Sequence, residues 1–251
     1  MHANMNVGLY QSASALTALE RWQDVVSQNI TSSQVTAFKR RTIQFESEMM
    51  GSLASGQRAS GRSDIQGCVF PKVKYGVNYK EGEVAPTGRD LDAALQGEGF
   101  FVLRQPNGQQ VYSRSGEFRL SADRTLMHST GAEVLGEGGA ALQGLPTGGK
   151  IVISADGTVT QNETPIGKLQ IVKFEDNSKL IPVGSGGFVA PGQEGRPVEK
   201  PEVVQGYLEG SNVSQIREMM DLVSIGRAYQ ITQKLIQQRD DAVGKAIEKL
   251  G

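Results

Sequence analysis

Two histidines (His2 and His128), one cysteine (Cys68) and the acidic pair Asp90 and Asp92 are the side chains most suited to chemistry in this chain. A Ser-His-Asp set would have to use His128, because His2 sits at a terminus, and no G-x-S-x-G run supplies a nucleophile elbow. His128 is therefore expected as a surface residue on a strand or turn. Gly97-Glu98-Gly99 has the form of a phosphate-binding glycine pair, but Phe100-Phe101-Val102 follows it as a strand and not as a helix N-terminus. Gly149-Lys150 and Gly167-Lys168 lack the spacing and the following Ser or Thr of a P-loop. Arg89 beside Asp90, with Leu91 between the aspartates, reads as a turn leading into a strand rather than as metal ligands. A lone cysteine excludes an intramolecular disulfide and a cysteine-built metal site. No catalytic residue, cofactor site or metal site is expected.

Charge narrows the partners. The formal net charge of -1 sets up no field toward nucleic acid or a membrane surface. Lys39-Arg40-Arg41 is the one basic cluster of note, expected as a solvated turn. No stretch of about 18 apolar residues is present, so direct membrane insertion is not expected. The start, MHANMNVGLYQSASAL, lacks the charged beginning and apolar run of a cleavable secretory signal. Taken alone, these features suggest a cytoplasmic protein.

With no reacting groups to position, the chain's most ordered pattern lies at its ends. Counting in sevens, Leu222, Tyr229, Ile236, Val243 and Leu250 are all apolar, whereas the companion positions Met219, Gly226, Gln233, Asp240 and Ile247 are mixed. Such a stripe belongs to a helix that faces another helix. The spacing predicts one from Asn212 to Leu250, with Ser211-Asn212 as N-cap, spanning roughly 50 Å at 1.5 Å per residue. At the front, Leu9, Ala13, Leu16, Leu19, Val26 and Ile30 recur at helical spacing beside Trp22, predicting a helix over Asn4–Gln28.

Between the ends the period changes. Thr42–Phe45 is expected as a short extended segment, and 51–67 as a flexible Gly/Ser-rich connector. From Cys68 the chain reads as short strands: 68–77, 99–104, 110–113, 117–120, 133–135, 151–154, 158–161 and 168–174. Asn107-Gly108, Asp156-Gly157 and Gly186-Gly187 supply hairpin turns. The Pro- and Gly-rich run Gly184–Pro201 is expected to be loop. The fold class is α+β: N- and C-terminal helices paired as a coiled-coil-like stalk, with a central antiparallel β-rich domain of sandwich or irregular-barrel type. The divisions are 1–35 with 208–251 (helical assembly), 36–67 (connector) and 68–207 (β-rich outer domain).

Several runs resemble one family. Gly76–Val102 (G-V-N-Y-K-E-G-E-V-A-P-T-G-R-D-L-D-A-A-L-Q-G-E-G-F-F-V) is similar to the signature of bacterial flagellar axial proteins, the rod and hook subunits. So are Y-S-R-S-G-E-F (Tyr112–Phe118), G-A-E-V-L-G (Gly131–Gly136), L-E-G-S-N-V (Leu208–Val213) and N-I-T-S-S-Q-V-T-A-F-K-R (Asn29–Arg40). The matches keep their order across nearly the whole chain. Ser32, Val35 and Ala37 depart from the family's usual Asn, Thr and Gly, and Arg124-Thr125 stands where a turn glycine is common. The turn at Ala37 is thus expected to differ.

The resemblance implies a structural subunit of the basal-body rod. It would polymerise helically through its terminal helices and transmit torque, with the proximal FlgF type favoured and the distal FlgG type close behind. Implied partners are further copies, other rod and hook subunits and the flagellar type III export apparatus. The implied location is the periplasmic rod, reached without a cleavable signal, in place of the cytoplasm. The residues assigned to subunit interaction are Leu9, Leu16, Val26, Asn29, Ile30, Phe38, Asn212, Val213, Leu222, Tyr229, Ile236 and Val243. A soluble adaptor or chaperone-like module that holds one partner with the same helices is the alternative.

Overall fold

The computed structural model describes residues 2–49, 69–146, 148–184 and 186–248, with side chains over 12–46, 73–146, 148–184, 186–242 and 244–245. The connector at 51–67, Cys68 and Leu250 lie outside the described residues, as do the side chains of Leu9 and Val243. The chain forms two compact units: Met1–Ile30, Arg41–Gly76 and Gln215–Gly251 make one, Thr31–Arg40 and Val77–Ser214 the other.

The first unit contains α1 (His2–Thr31), β1 (Arg41–Met49) and β2 (Val69–Val77), together with the C-terminal helix Gln215–Glu248. No glycine or proline interrupts α1 after Gly8, so the backbone ladder runs unbroken to Thr31. Its most deeply buried positions, Ala18, Val25, Val26 and Asn29, fall on one face. β1 pairs with β2 as a two-stranded ribbon, longer than the short segment expected at Thr42–Phe45. Trp22 of α1 meets Phe45 of β1 edge-on, with ring centroids 5.9 Å apart. Among the described residues, no helix is long and apolar enough to cross a membrane.

The second unit is built from short strands. Its first half holds β3 (Val84–Pro86), β4 (Ala93–Gln96), β5 (Phe100–Arg104), β6 (Gln110–Ser113), β7 (Phe118–Leu120), β8 (Leu126–His128) and β9 (Glu133–Val134). β10 (Ile151–Ile153), β11 (Thr158–Gln161), β12 (Thr164–Lys168) and β13 (Ile171–Lys173) follow. β14 (Ile181–Val183), β15 (Gly187–Val189), β16 (Arg196–Pro197), β17 (Glu202–Gln205) and β18 (Tyr207–Glu209) complete it before α2 (Gln215–Glu248). The pairings in this unit are antiparallel, and the largest sheet has nine strands, running β14-β15-β6-β5-β9-β8-β7 with β13 and β16 joined through β5.

β5 organises this sheet because both of its faces are buried. Phe101 and Leu103 point into a core with Leu95, Phe118, Leu126, Val134 and Leu169; Phe100 and Val102 point into a second with Leu135, Val172, Phe174 and Phe188. A strand covered on both sides needs an uninterrupted apolar run, which Phe-Phe-Val-Leu supplies. The Asp156-Gly157 turn closes β10 onto β11: Gly157 holds φ +84, and its N–H donates to Ser154 O at 2.9 Å. Asn107-Gly108 does the same between β5 and β6, with Gly108 N–H donating to Gln105 O at 2.8 Å.

Two expectations are corrected here. Gly184–Pro201 is not all loop, since β15 and β16 fall within it; burial of Phe188 in the second core holds β15 against β6. His128 is not a surface residue but is 2 % exposed. Leu126 and His128 point to the same side of β8, so the inward register that buries the leucine buries the histidine too.

The imidazole Nδ1 lies 2.8 Å from the Thr130 hydroxyl and accepts the Thr130 N–H at 3.2 Å. Burial holds its pKa below the ordinary histidine value, with Glu117 opposing the shift. A folded-state pKa below the unfolded value, about 6.5, means that the unfolded chain binds more protons in that window. His128 therefore contributes stability fully present above about pH 6.5 and lost as pH falls through the folded value. In urea titrations followed at the Leu126 and Val134 methyl resonances, stability should decline below about pH 6.5. His128→Asn should flatten that decline; an unchanged slope would remove His128 as its cause.

Candidate functional site

The similar runs converge in the second unit around one carboxylate. Glu209 ends β18, and its side chain is fully buried between two cations. Its Oε1 accepts Lys39 Nζ at 2.5 Å and the Gly82 N–H at 2.9 Å, and its Oε2 accepts Arg114 Nε at 2.9 Å. Backbone carbonyls take further donors of both cations, and Arg114 Nη2 also lies 3.8 Å from Glu81 Oε1. Arg114 Nη1 reaches Gly97 O (2.6 Å) and Gly99 O (2.9 Å), Nη2 reaches Leu95 O (3.0 Å), and Lys39 Nζ reaches Lys80 O (2.9 Å). Burial draws the Lys39 pKa below the ordinary lysine value, and the charge and hydrogen bond of Glu209 oppose it. Lys39 is thus no member of a solvated turn, as its basic neighbours suggested. The Asn29–Arg40 motif brings it inward to meet a buried anion.

Backbone contacts complete this clasp. Ala37 N–H donates to Glu209 O at 2.7 Å, and Asn212 N–H donates to Phe38 O at 3.2 Å. The Asn212 side chain accepts Arg40 N–H at 2.6 Å and donates to Asn78 O at 2.8 Å and Lys80 O at 2.7 Å. Asn212 therefore does not cap α2, which begins three residues later at Gln215; its amide joins three chain segments instead. Gly82 allows the closest approach, since a Cβ there would lie 2.0 Å from Gly210 O. Ala37 itself adopts the left-handed conformation that glycine would favour, φ +56, as does Arg124 at φ +60.

A second polar contact lies in the first unit. Asn29, 0 % exposed, accepts Arg41 N–H and donates to Arg41 O, both at 2.9 Å, and donates to Glu218 Oε2 of α2 at 3.0 Å.

The residues assigned to subunit interaction separate accordingly. Phe38, Asn212 and Val213 sit at the clasp, with Phe38 buried and the other two half-buried. Val26 and Asn29 are buried on α1, and Leu16 and Ile30 are half-buried. On α2, Tyr229 and Ile236 are half-buried and Leu222 is exposed, while Glu218 and Ile225 are the buried pair on that side of the helix. At 100° per residue the opposite side presents Ile216, Met219, Met220, Val223, Ile231 and Leu235, each more than half exposed. Sequence reasoning missed Lys39, Arg114, Glu209 and Glu218, which carry no local signal of burial: Lys39 stands beside two arginines and Arg114 between two serines. Of the acidic pair, Asp92 is buried, its carboxylate held by Arg89 at 2.8 Å through both oxygens, and Asp90 is exposed at the preceding turn.

A β-rich body that clasps the segments adjoining two long terminal helices, one of them with an open apolar side, defines a structural subunit of an assembly. Residues 94–161 match the family model described as the flagellar hook protein FlgE/F/G D1 domain, and 204–248 match the flagellar basal body rod FlgEFG protein C-terminal model. Flagellar basal-body rod protein FlgF of Mesorhizobium japonicum is 30% identical over 98% of this chain and 99% of its own length, and FlgF of Caulobacter vibrioides is 30% identical over the same shares. Flagellar basal-body rod protein FlgG of Agrobacterium fabrum is 28% identical over 92% of this chain and 94% of its own. The chain belongs to the flagellar basal-body rod protein family of FlgF/FlgG type, a structural family and not an enzymatic one.

Removing one member of a buried ion cluster leaves the others uncompensated, typically at about 3–5 kcal/mol. Glu209→Gln, which strands two cations, should destabilise the second unit by about that amount, and Lys39→Met, which leaves Glu209 on Arg114, by less. Chemical denaturation giving the reverse order would refute Glu209 as the centre of the clasp. At position 37, relief of left-handed strain by glycine, roughly 1–2 kcal/mol, is offset by the lost methyl and glycine's freedom in the unfolded chain. Ala37→Gly should stay within about 1 kcal/mol of the parent, whereas the branched, buried Ala37→Val should cost about 2 kcal/mol or more.

Proposed function

We propose that this chain is a rod subunit that polymerises helically through coiled-coil-like contacts of its terminal helices and so passes torque along the axis. The observation that carries this reading is the two-sided character of α2. One side holds Glu218 and Ile225 out of water, and the other exposes six large apolar side chains along twenty residues, Ile216 to Leu235. Such a surface in a single chain is disfavoured unless a partner covers it, and covering it contributes roughly 25 cal/mol per Å² of apolar area removed from water. The residues assigned to subunit interaction, and the division into helical assembly segments 1–35 and 208–251, connector 36–67 and β-rich outer domain 68–207, belong to this reading.

The proximal FlgF type is favoured, supported by the FlgF relatives at 30% identity against 28% for the FlgG relative. Other rod and hook subunits are the proposed neighbours. Delivery through the type III export apparatus without a cleavable signal, to the periplasmic rod, is proposed with them.

Val223→Asp with Ile231→Asp should remove the chain from purified hook–basal bodies and abolish motility. Circular dichroism and proton exchange should meanwhile show the β-rich unit still folded. Normal incorporation of the double variant would overturn the assembly role of this helix face.

A further inference from the structure

The outward sides of α1 and α2, both in the first unit, carry opposite charge. On α2, Arg227 and Lys234 are exposed among the apolar residues that run from Ile216 to Leu235. Counted at 100° per residue from the buried Glu218, both fall on the outward side with Val223. Asp241, a heptad beyond Lys234, ends the basic stretch. On α1, the side opposite Ala18, Val25, Val26 and Asn29 presents Ala13, Glu20, Asp24, Ser27 and Thr31, all exposed. Arg21 lies about 100° around the helix from Glu20, at the flank of this stripe. Glu20, Asp24, Arg227 and Lys234 have no ion partner among the described residues.

Two acids on one helix and two bases on the other, each pair turned to solvent, are complementary surfaces. Two copies of α2 set face to face would instead crowd four cations into one seam, and like charges there oppose association. The α1 side also offers the small Ala13, Ser27 and Thr31, between which Met220, Val223 and Ile231 can lodge. Along the axis the acids are about 6 Å apart and the bases about 10.5 Å, at 1.5 Å per residue. The long, flexible arms of Arg and Lys cover that difference. We infer that the outward side of α2 docks on the outward side of α1 in an adjacent copy of this chain, with Arg227 and Lys234 against Glu20 and Asp24. Because the contact joins two different surfaces, each copy keeps one free for the next, and the row need not close. The inference rests on the rod-subunit reading and adds which surface meets which.

The test expresses full-length variants in cells lacking the parent chain and measures incorporation into purified hook–basal bodies by quantitative mass spectrometry. One variant carries Glu20→Lys with Asp24→Lys, the other Arg227→Glu with Lys234→Glu; all four positions are exposed, and circular dichroism checks that each variant folds. Alone, each sets like charge against like and should incorporate at least about 5-fold less than the parent. Co-expressed, they should recover to within about 2-fold, because each then meets its complement on the other. Normal incorporation of either variant alone would overturn the proposal. So would failure of the mixture to recover, which would mean that the occupant is not a second copy. Recovery with all four reversals in one chain, but not in the mixture, would make the pairing intrachain and overturn it too. Val223→Asp with Ile231→Asp, run alongside, keeps the two readings apart. If that variant is lost while the charge reversals incorporate normally, the docking assignment fails and the assembly role of α2 stands.

Discussion

The charge of Glu209 is the constraint on which the second unit depends. A carboxylate removed from water is expensive unless several donors replace its hydration, and here two cations and the Gly82 N–H do so. Each donor belongs to a different stretch: Lys39 to the segment after α1, Gly82 to the run after β2, Arg114 to the end of β6. Loss of any one leaves the Glu209 carboxylate with an unmet acceptor. Within this unit Glu209 and Asn212 bind the stretches 37–40 and 78–82 together with Arg114. Local polar satisfaction and long-range chain routing are therefore one problem with one solution.

Glycine and alanine set how tightly that solution can close. Gly82 lies backbone to backbone with Gly210, and Gly116 does the same with Ala93, where a Cβ would fall 1.8 Å from the carbonyl oxygen. No side chain can be added at such positions without moving a strand. Ala37 is a different case, because its backbone keeps the left-handed conformation while carrying a methyl group. The Ala37 N–H must reach Glu209 O, and that requirement prevails over the modest strain of an alanine at positive φ. The departures from family pattern noted at Ala37 and Arg124 thus mark two of the four places among the described residues where a non-glycine backbone turns left-handed, Asn162 and Glu163 being the others.

Periodicity made the helices and β5, β6, β7, β9, β10, β11 and β13 legible, since both are repetitive signals. Turn dipeptides located the β5–β6 and β10–β11 hairpins for the same reason. Other strands were not legible. β3, β8 and β16 have two or three residues each, offer little alternation to read, and exist because neighbours hold them. The clasp was hidden differently. Lys39, Arg114 and Glu209 are distant in sequence, and nothing local distinguishes a charge that will be buried from one that will be solvated. Their motifs were recognisable, but which atom would meet which required the fold.

The two sides of α2 also explain why a seven-residue count described it incompletely. Leu222, Tyr229 and Ile236 lie on the side shared with Glu218 and Ile225, so counting in sevens found the stripe that the chain itself covers, in whole or part. The second stripe, Ile216, Met220, Val223, Ile231 and Leu235, advances by threes, fours and one gap of eight at Arg227, and a fixed heptad does not collect it. A straight helix drifts about 20° per heptad against a strict seven-residue repeat, so two apolar sides cannot both be read in one register. On a polymerising reading, the inner side serves the subunit's own fold and, at its part-exposed Leu222, Tyr229 and Ile236, a neighbour as well, and the outer side serves neighbours alone. Glu218 belongs to the first: its buried carboxylate accepts the Asn29 amide at 3.0 Å and ties α2 to α1 at that point.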